Sequence, residues 1–200
     1  MTLPILQYGD PILRAKGNRI EEIDDRIREL AANMIETMHA AHGVGLAAQQ
    51  IGEALQLTVL DISAVEEDRP STLKLDGKDV ADLKAAMPLV LINPEMELHG
   101  ETEIGLEGCL SFPEITADIE RAHSVTVRAQ TLEDQPIEIE TSGFLARAIQ
   151  HEGDHLDGIL FIDRMNSAAK AALSSRLKRL QKETHRGIRH REAFVSETTL

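Results

Sequence analysis

His151-Glu152-Gly153-Asp154-His155 constrains this chain more than any other segment. On an α-helix, positions i and i+4 lie one turn apart on the same face, so two histidines at that spacing reach a single metal ion. The glutamate between them sits where it can take a proton from a water held there. At about 100° per residue, Phe144, Ala148, His151 and His155 fall within a sector of about 60°. The histidines therefore continue an apolar stripe and face inward, and a shared cation removes the cost of burying them without partners. The pattern points to a metal-dependent hydrolase.

The rest of the chain reads as the frame for that helix. Asp24 or Asp25 is positioned to cap a helix over Ile23 to Ala41, with Ile27, Leu30, Met34 and Met38 at helical spacing and Gly43 as its stop. Leu55 to Ile62 reads as a buried strand. Leu89 to Ile92 is a second, ended by Asn93-Pro94, and Ser124 to Ala129 and Ile137 to Thr141 are two more. Ser142 or Gly143 opens the motif helix, which runs to Leu156 and stops near Gly158; Asn166 or Ser167 caps a terminal helix. The expected class is α+β: mixed or antiparallel strands around a central H-E-x-x-H helix, with an N-terminal and a C-terminal helix. Residues 1–200 read as one catalytic domain, with 65–86 a surface insertion carrying a possible short hairpin and 167–191 a basic C-terminal helix.

Charge and cysteine content narrow the partners. The net charge of −13 argues against bulk or sequence-specific nucleic-acid binding, yet Arg164 to Arg191 holds nine basic residues and only Glu183 against them. That tail is either a solvated helix face or a docking surface for an anionic partner. No apolar run approaches a membrane span, and Met1 to Leu6 lacks the pattern of a secretory signal. A single cysteine, Cys109, forbids an intrachain disulfide and suits a reducing compartment, so the chain is expected in the cytoplasm.

Two histidines leave a catalytic site incomplete, since such sites generally have three protein ligands and an open position. Cys109, in Glu107-Gly108-Cys109-Leu110-Ser111, is the candidate third ligand, because a thiolate binds zinc or ferrous iron strongly. Taken on its own, a lone cysteine is more often a small buried hydrophobe than a ligand. An endopeptidase of the thermolysin-like kind would instead take Glu183 or His185 from the last helix, leaving Cys109 and Gln50 without roles. A further alternative is a degenerate module that binds without cleaving, against which Glu152 and Gln50 both speak. Gly43-Val44-Gly45-Leu46-Ala47-Ala48-Gln49-Gln50 reads as a tight turn or extended strand whose small residues allow close packing and which presents a glutamine.

Taken together, Gly43 to Gln50, Glu107 to Ser111 and Gln150 to Leu156 closely resemble the three motifs of the peptide deformylase family, in the family's order. The likeness extends to Tyr8-Gly9-Asp10-Pro11-Ile12-Leu13-Arg14 and to the C-terminal helix, which is similar to the first bacterial class. It implies removal of the N-formyl group from the initiator methionine of new proteins. Cys109, His151 and His155 would be the metal ligands and Glu152 the general acid/base. Gln50 and the Leu110 amide would form the oxyanion hole. The metal would be Fe2+, with Zn2+, Ni2+ or Co2+ accepted. Val44, Phe144 and Ala148 are candidate walls of a methionine pocket, and Gly43, Val44 and Gly45 the segment that pairs with peptide backbone. N-formylmethionyl nascent peptides are the implied partners, with the ribosome approached through the basic helix. The 65–86 segment is longer than the family's usual connection there.

Overall fold

The computed structural model describes residues 1–66 and 69–198, and the side chains of its final helix as far as residue 189. The elements run α1 (Asp25–Ala40), β1 (Gly45–Ala47), β2 (Leu57–Leu60), β3 (Ser71–Leu75), β4 (Lys78–Asp79), β5 (Leu89–Gly108), β6 (Thr116–Gln130), β7 (Pro136–Gly143), α2 (Phe144–Leu156), α3 (Phe161–Arg164) and α4 (Ser167–Thr198). Every strand pairing is antiparallel, in the order β1-β2-β5-β6-β7-β3-β4. This is the α+β arrangement anticipated from the sequence, built around the H-E-x-x-H helix.

Asp24 caps α1, its side chain accepting from the Ile27 amide. The chain leaves that helix through His42, at φ 54, rather than through Gly43. Gly43 is small for another reason: a Cβ there would lie 2.7 Å from Leu110 Cδ1. The apolar face of α1 (Ile27, Ala31, Met34, Met38) packs on Leu46, Leu57 and Val59 of β1 and β2. A second cluster lies between the sheet and α2, with Val125, Val127 and Ile139 against Leu145 and Ile149. A third joins Leu13, Phe112 and Phe161 to Leu177 of α4. No helix among the described residues is long and apolar enough to cross a membrane.

Two expectations need correction. Asn93-Pro94 does not end its strand. Asn93 takes φ 52 at a register shift between Ile92 and Glu95, and its side chain grips Ile20 N and O at 2.9 and 2.8 Å. A proline is tolerated at such an irregularity because no ladder bond is due there. β5 then continues to Gly108. Its outer half is exposed on both faces, so no apolar alternation marked it. Within the 65–86 segment, β3 and β4 do form a hairpin, but that hairpin is also part of the sheet. β3 pairs with β7 from Ser71↔Gly143 to Leu75↔Ile139, and Leu73 is buried. Pro70 O accepts from Phe144 N at 3.2 Å and Ser71 Oγ from Leu145 N at 2.9 Å, so this segment caps the N-terminus of α2.

Candidate metal centre and active site

Every residue of α2 from Leu145 to Leu156 is buried. The inward stripe expected from the sequence is there, and the opposite, polar side is covered as well. Arg147, Gln150, His151, Glu152, Asp154 and His155 must therefore find partners inside the protein. Gln150 spends both ends of its amide on the backbone of Ala122, at 3.1 and 2.8 Å, locking the helix to β6.

β5 ends at Gly108, delivering Cys109 to the side of α2. The ligand atoms of Cys109, His151 and His155 lie within 4.8 Å of one another, with Cys109 Sγ 3.3 Å from His155 Nε2. His151 Nδ1 is 2.9 Å from Glu107 Oε2, which fixes the ring and leaves Nε2 for the cluster. Burial, together with the charges of His151, Arg121 and Arg14, keeps His155 well below the usual histidine range, hence neutral. Burial opposes protonation of His151 too, but contacts with Cys109 and Glu107 outweigh it and hold that ring well above the range. A sulfur and two imidazole nitrogens, one of them carrying a displaceable proton, are a donor set that suits a borderline divalent cation.

Glu152 stands beside this cluster. Burial pushes its carboxyl up to about 7, with His151 and Arg121 opposing and Glu107 and Asp154 adding to the rise. Its Oε2 is buried and has no protein partner among the described residues. Its other oxygen explains Gly45: a Cβ there would sit 2.3 Å from Glu152 Oε1. The Gly43–Gln50 segment is thus a strand, β1, followed by a 3-10 turn over Ala48–Ile51. That turn buries Gln50, whose Oε1 accepts from Ala47 N at 2.8 Å. Its Nε2 then points at the cluster, 3.2 Å from Ser111 Oγ and 3.5 Å from Cys109 Sγ. A cavity of about 500 Å³ opens at this point, lined by Gly43, Val44, Gly45, Phe144 and Ala148 together with Gln50, Cys109, Leu110, His151 and Glu152. Of the ligand, catalytic and pocket residues that the family likeness names, His155 is the one that does not line it.

The sequence reading missed what holds the histidines. Arg121 grips Glu107 through two bonds, at 2.9 and 3.0 Å, and reaches Asp154 Oδ2 at 2.5 Å. Arg164 closes on the same Asp154 at 2.6 and 3.0 Å, and Arg147 adds a bond to Glu107 at 3.0 Å. The signal was present in β6: Ala117, Ile119 and Arg121 share one strand face, and an arginine on a buried face requires a carboxylate. Burial alone would raise Glu107; hydrogen bonds from His151 and Arg121 outweigh it and hold the group at about 2. A carboxylate lowered in the folded state stabilises the fold above its unfolded pKa, near 4.5, and that contribution disappears as pH falls towards 2. Metal-free protein should therefore lose stability steeply between those values, and Glu107→Gln should flatten that part of the curve in denaturant titrations run at successive pH values.

The family model described as polypeptide deformylase matches residues 2–171. The chain belongs to that family. A peptide deformylase of Opitutus terrae is 46% identical over 187 residues, covering 92% of this chain and 95% of its own. One from Methylacidiphilum infernorum is 44% identical over 182 residues, 91% and 94% of the two chains. The crystal structure of peptide deformylase from Thermus thermophilus superimposes with a TM-score of 0.75 at 37% identity, covering 92% of this chain and 99% of that one. Peptide deformylases are metalloenzymes that remove N-formyl groups from nascent peptides, and an H-E-x-x-H endopeptidase is not favoured. The group of candidate ligands found among the described residues takes Cys109, not Glu183 or His185, as its third member.

Proposed function

We propose that Cys109, His151 and His155 hold one divalent cation and that Glu152, Gln50 and the Leu110 amide carry out deformylation beside it. The convergence of the thiol with two imidazoles beside the cavity, next to a buried carboxyl, carries this reading. A cation held there by Cys109, His151 and His155 would supply Lewis acidity and make a neighbouring water easier to deprotonate near neutral pH. Glu152 takes the proton of the attacking water. The water oxygen adds to the formyl carbon, and the formyl oxygen, gaining negative charge, accepts from Gln50 Nε2 and Leu110 N–H. Glu152 returns the proton to the amine as the C–N bond breaks, releasing formate and a free N-terminus. The Ala47 amide keeps Gln50 turned the right way.

Val44, Phe144 and Ala148 would receive the methionine side chain, and the backbone of Gly43–Gly45 would pair with the peptide. The close approach of Glu152 to Gly45 supports this placement, because it sets the carboxyl directly beside that backbone. We assign Fe2+ as the native ion, ahead of Zn2+, Ni2+ and Co2+, following the family likeness. Metal analysis of anaerobically purified protein checks it. Residues 1–200 are taken as one catalytic domain and the cytoplasm as its compartment, in keeping with a cysteine that must stay reduced to bind metal. The decisive assay offers formyl-Met-Ala-Ser beside an unformylated peptide with an internal bond at the same site. Formate release with the internal bond intact is expected; cleavage of that bond would refute the reading.

The ribosome is proposed as a partner of α4. Lys178, Lys182, His185 and Arg189 share one groove with Gly9 and Pro11. Co-sedimentation with ribosomes should weaken steeply with salt and fail on charge reversal at Arg176, Lys178, Arg179 and Lys182. Binding indifferent to both would refute it.

A further inference from the structure

A second cavity, of about 470 Å³, lies against the first. Arg69, Leu106, Phe144 and Arg147 line both, so these four side chains form the partition between them. Arg147 is the unusual member. It is a buried arginine one turn before His151, on the helix that walls the first cavity. Its guanidinium lies flat against Gly105, where a Cβ would meet Cζ at 2.8 Å and Nη2 at 2.9 Å. The absence of a side chain at Gly105 is what lets it lie there. Three acceptors then fix it: Ile119 O at 2.8 Å, Glu103 O at 2.8 Å and Glu107 Oε1 at 3.0 Å. A group tied at so many points cannot swing aside for a ligand. Leu106, which is exposed, covers the partition from the solvent side.

We propose that Arg147, laid over Gly105 and backed by Leu106, is the end wall of the methionine pocket and sets the longest first side chain the enzyme accepts. The space behind the wall would take an unbranched apolar extension of that side chain once the wall is shortened. This rests on the assignment of the first cavity to methionine, made above. Arg147 is a specificity-determining residue under this proposal, distinct from those that touch the formyl group.

The test compares formyl-Met-Ala-Ser with formyl-S-butylhomocysteinyl-Ala-Ser, on metal-loaded enzyme, as a ratio of kcat/KM values. The ratio cancels any loss of active protein or weakening of the Glu107 network, both of which affect the two substrates alike. The native enzyme should favour methionine strongly. Arg147→Ala should shift the ratio towards the longer side chain by about tenfold or more, in the range that methylene-sized differences command in apolar pockets. Leu106→Ala opens the same partition without touching Glu107 and should shift it in the same direction. An unchanged ratio in Arg147→Ala would overturn the proposal. If Arg147→Ala does not fold, an unchanged ratio in Leu106→Ala would overturn it instead. A native enzyme that hydrolyses neither substrate would refute the deformylase reading; one that hydrolyses formyl-Met while the ratios stay fixed would refute only the wall.

Discussion

Glu152→Gln should lower kcat for formyl-methionyl peptides by about 10³, within the 10²–10⁴ that a positioned acid–base group contributes, while leaving bound metal at the native stoichiometry. Glutamine fills the same volume, so Gly45 and β1 keep their places. What disappears is a group able to accept a proton and give it back. A carboxyl that burial holds near 7 is suited to both tasks at neutral pH, and a cation beside it will pull it lower. The fold should not suffer. Glu152 Oε2 has no protein partner among the described residues, so the change removes a buried charge without breaking a bond between side chains. Formate release under saturating peptide, with metal content and thermal unfolding measured on the same preparation, separates the outcomes. A variant keeping more than about a tenth of native kcat would show that Glu152 does not carry the proton.

The chemistry was legible because it sits in three short segments whose spacing has a direct meaning: i and i+4 on a helix, a cysteine following a glycine, a glutamine closing a run of small residues. Gly45 was marked as a point of close packing, but its neighbour, Glu152, is 107 positions away and no local pattern names it. The same holds for the Glu107–Arg121–Asp154–Arg164 chain of ion pairs. Each member looks like an ordinary charged residue until the sheet and α2 bring them together. Once β6 is known to begin at Thr116, strand parity marks Arg121 as buried, but it does not name the partner. β5 was cut short because a proline and a polar, two-sided exposure hide a strand from any rule based on burial. β3 was read as surface because its buried content is a single residue, Leu73, and its pairing partner lies some 70 positions later in β7. Gly153 belongs to the same group. A helix-interior glycine is unfavourable on propensity alone; its neighbour is tertiary, the flexible end of Met96 in β5, whose methyl lies 2.1 Å from where a Cβ would be.

Removing the thiol should be more damaging than any of these changes. Cys109→Ala is expected to weaken cation binding by at least about a hundredfold, since losing even a group that merely orients a ligand costs 10–100-fold, and to take deformylation to background. Two imidazoles alone are left, and His151 loses the neighbour that, with Glu107, holds its proton in the metal-free state. Gln50 Nε2 loses one of its two acceptors but keeps Ser111 Oγ, so the amide should remain in place. Folding should persist. Cys109 is only partly buried at the edge of the Phe112–Phe161 cluster, and α2 is still held by Gln150, Arg121 and the Pro70–Ser71 cap. Equilibrium dialysis against Zn2+, with far-ultraviolet circular dichroism as the control for folding, reads the two effects separately. A folded Cys109→Ala protein that bound the ion with native affinity would mean that the cation is held elsewhere. The roles given to Glu152 and Gln50 would then have no centre to act upon.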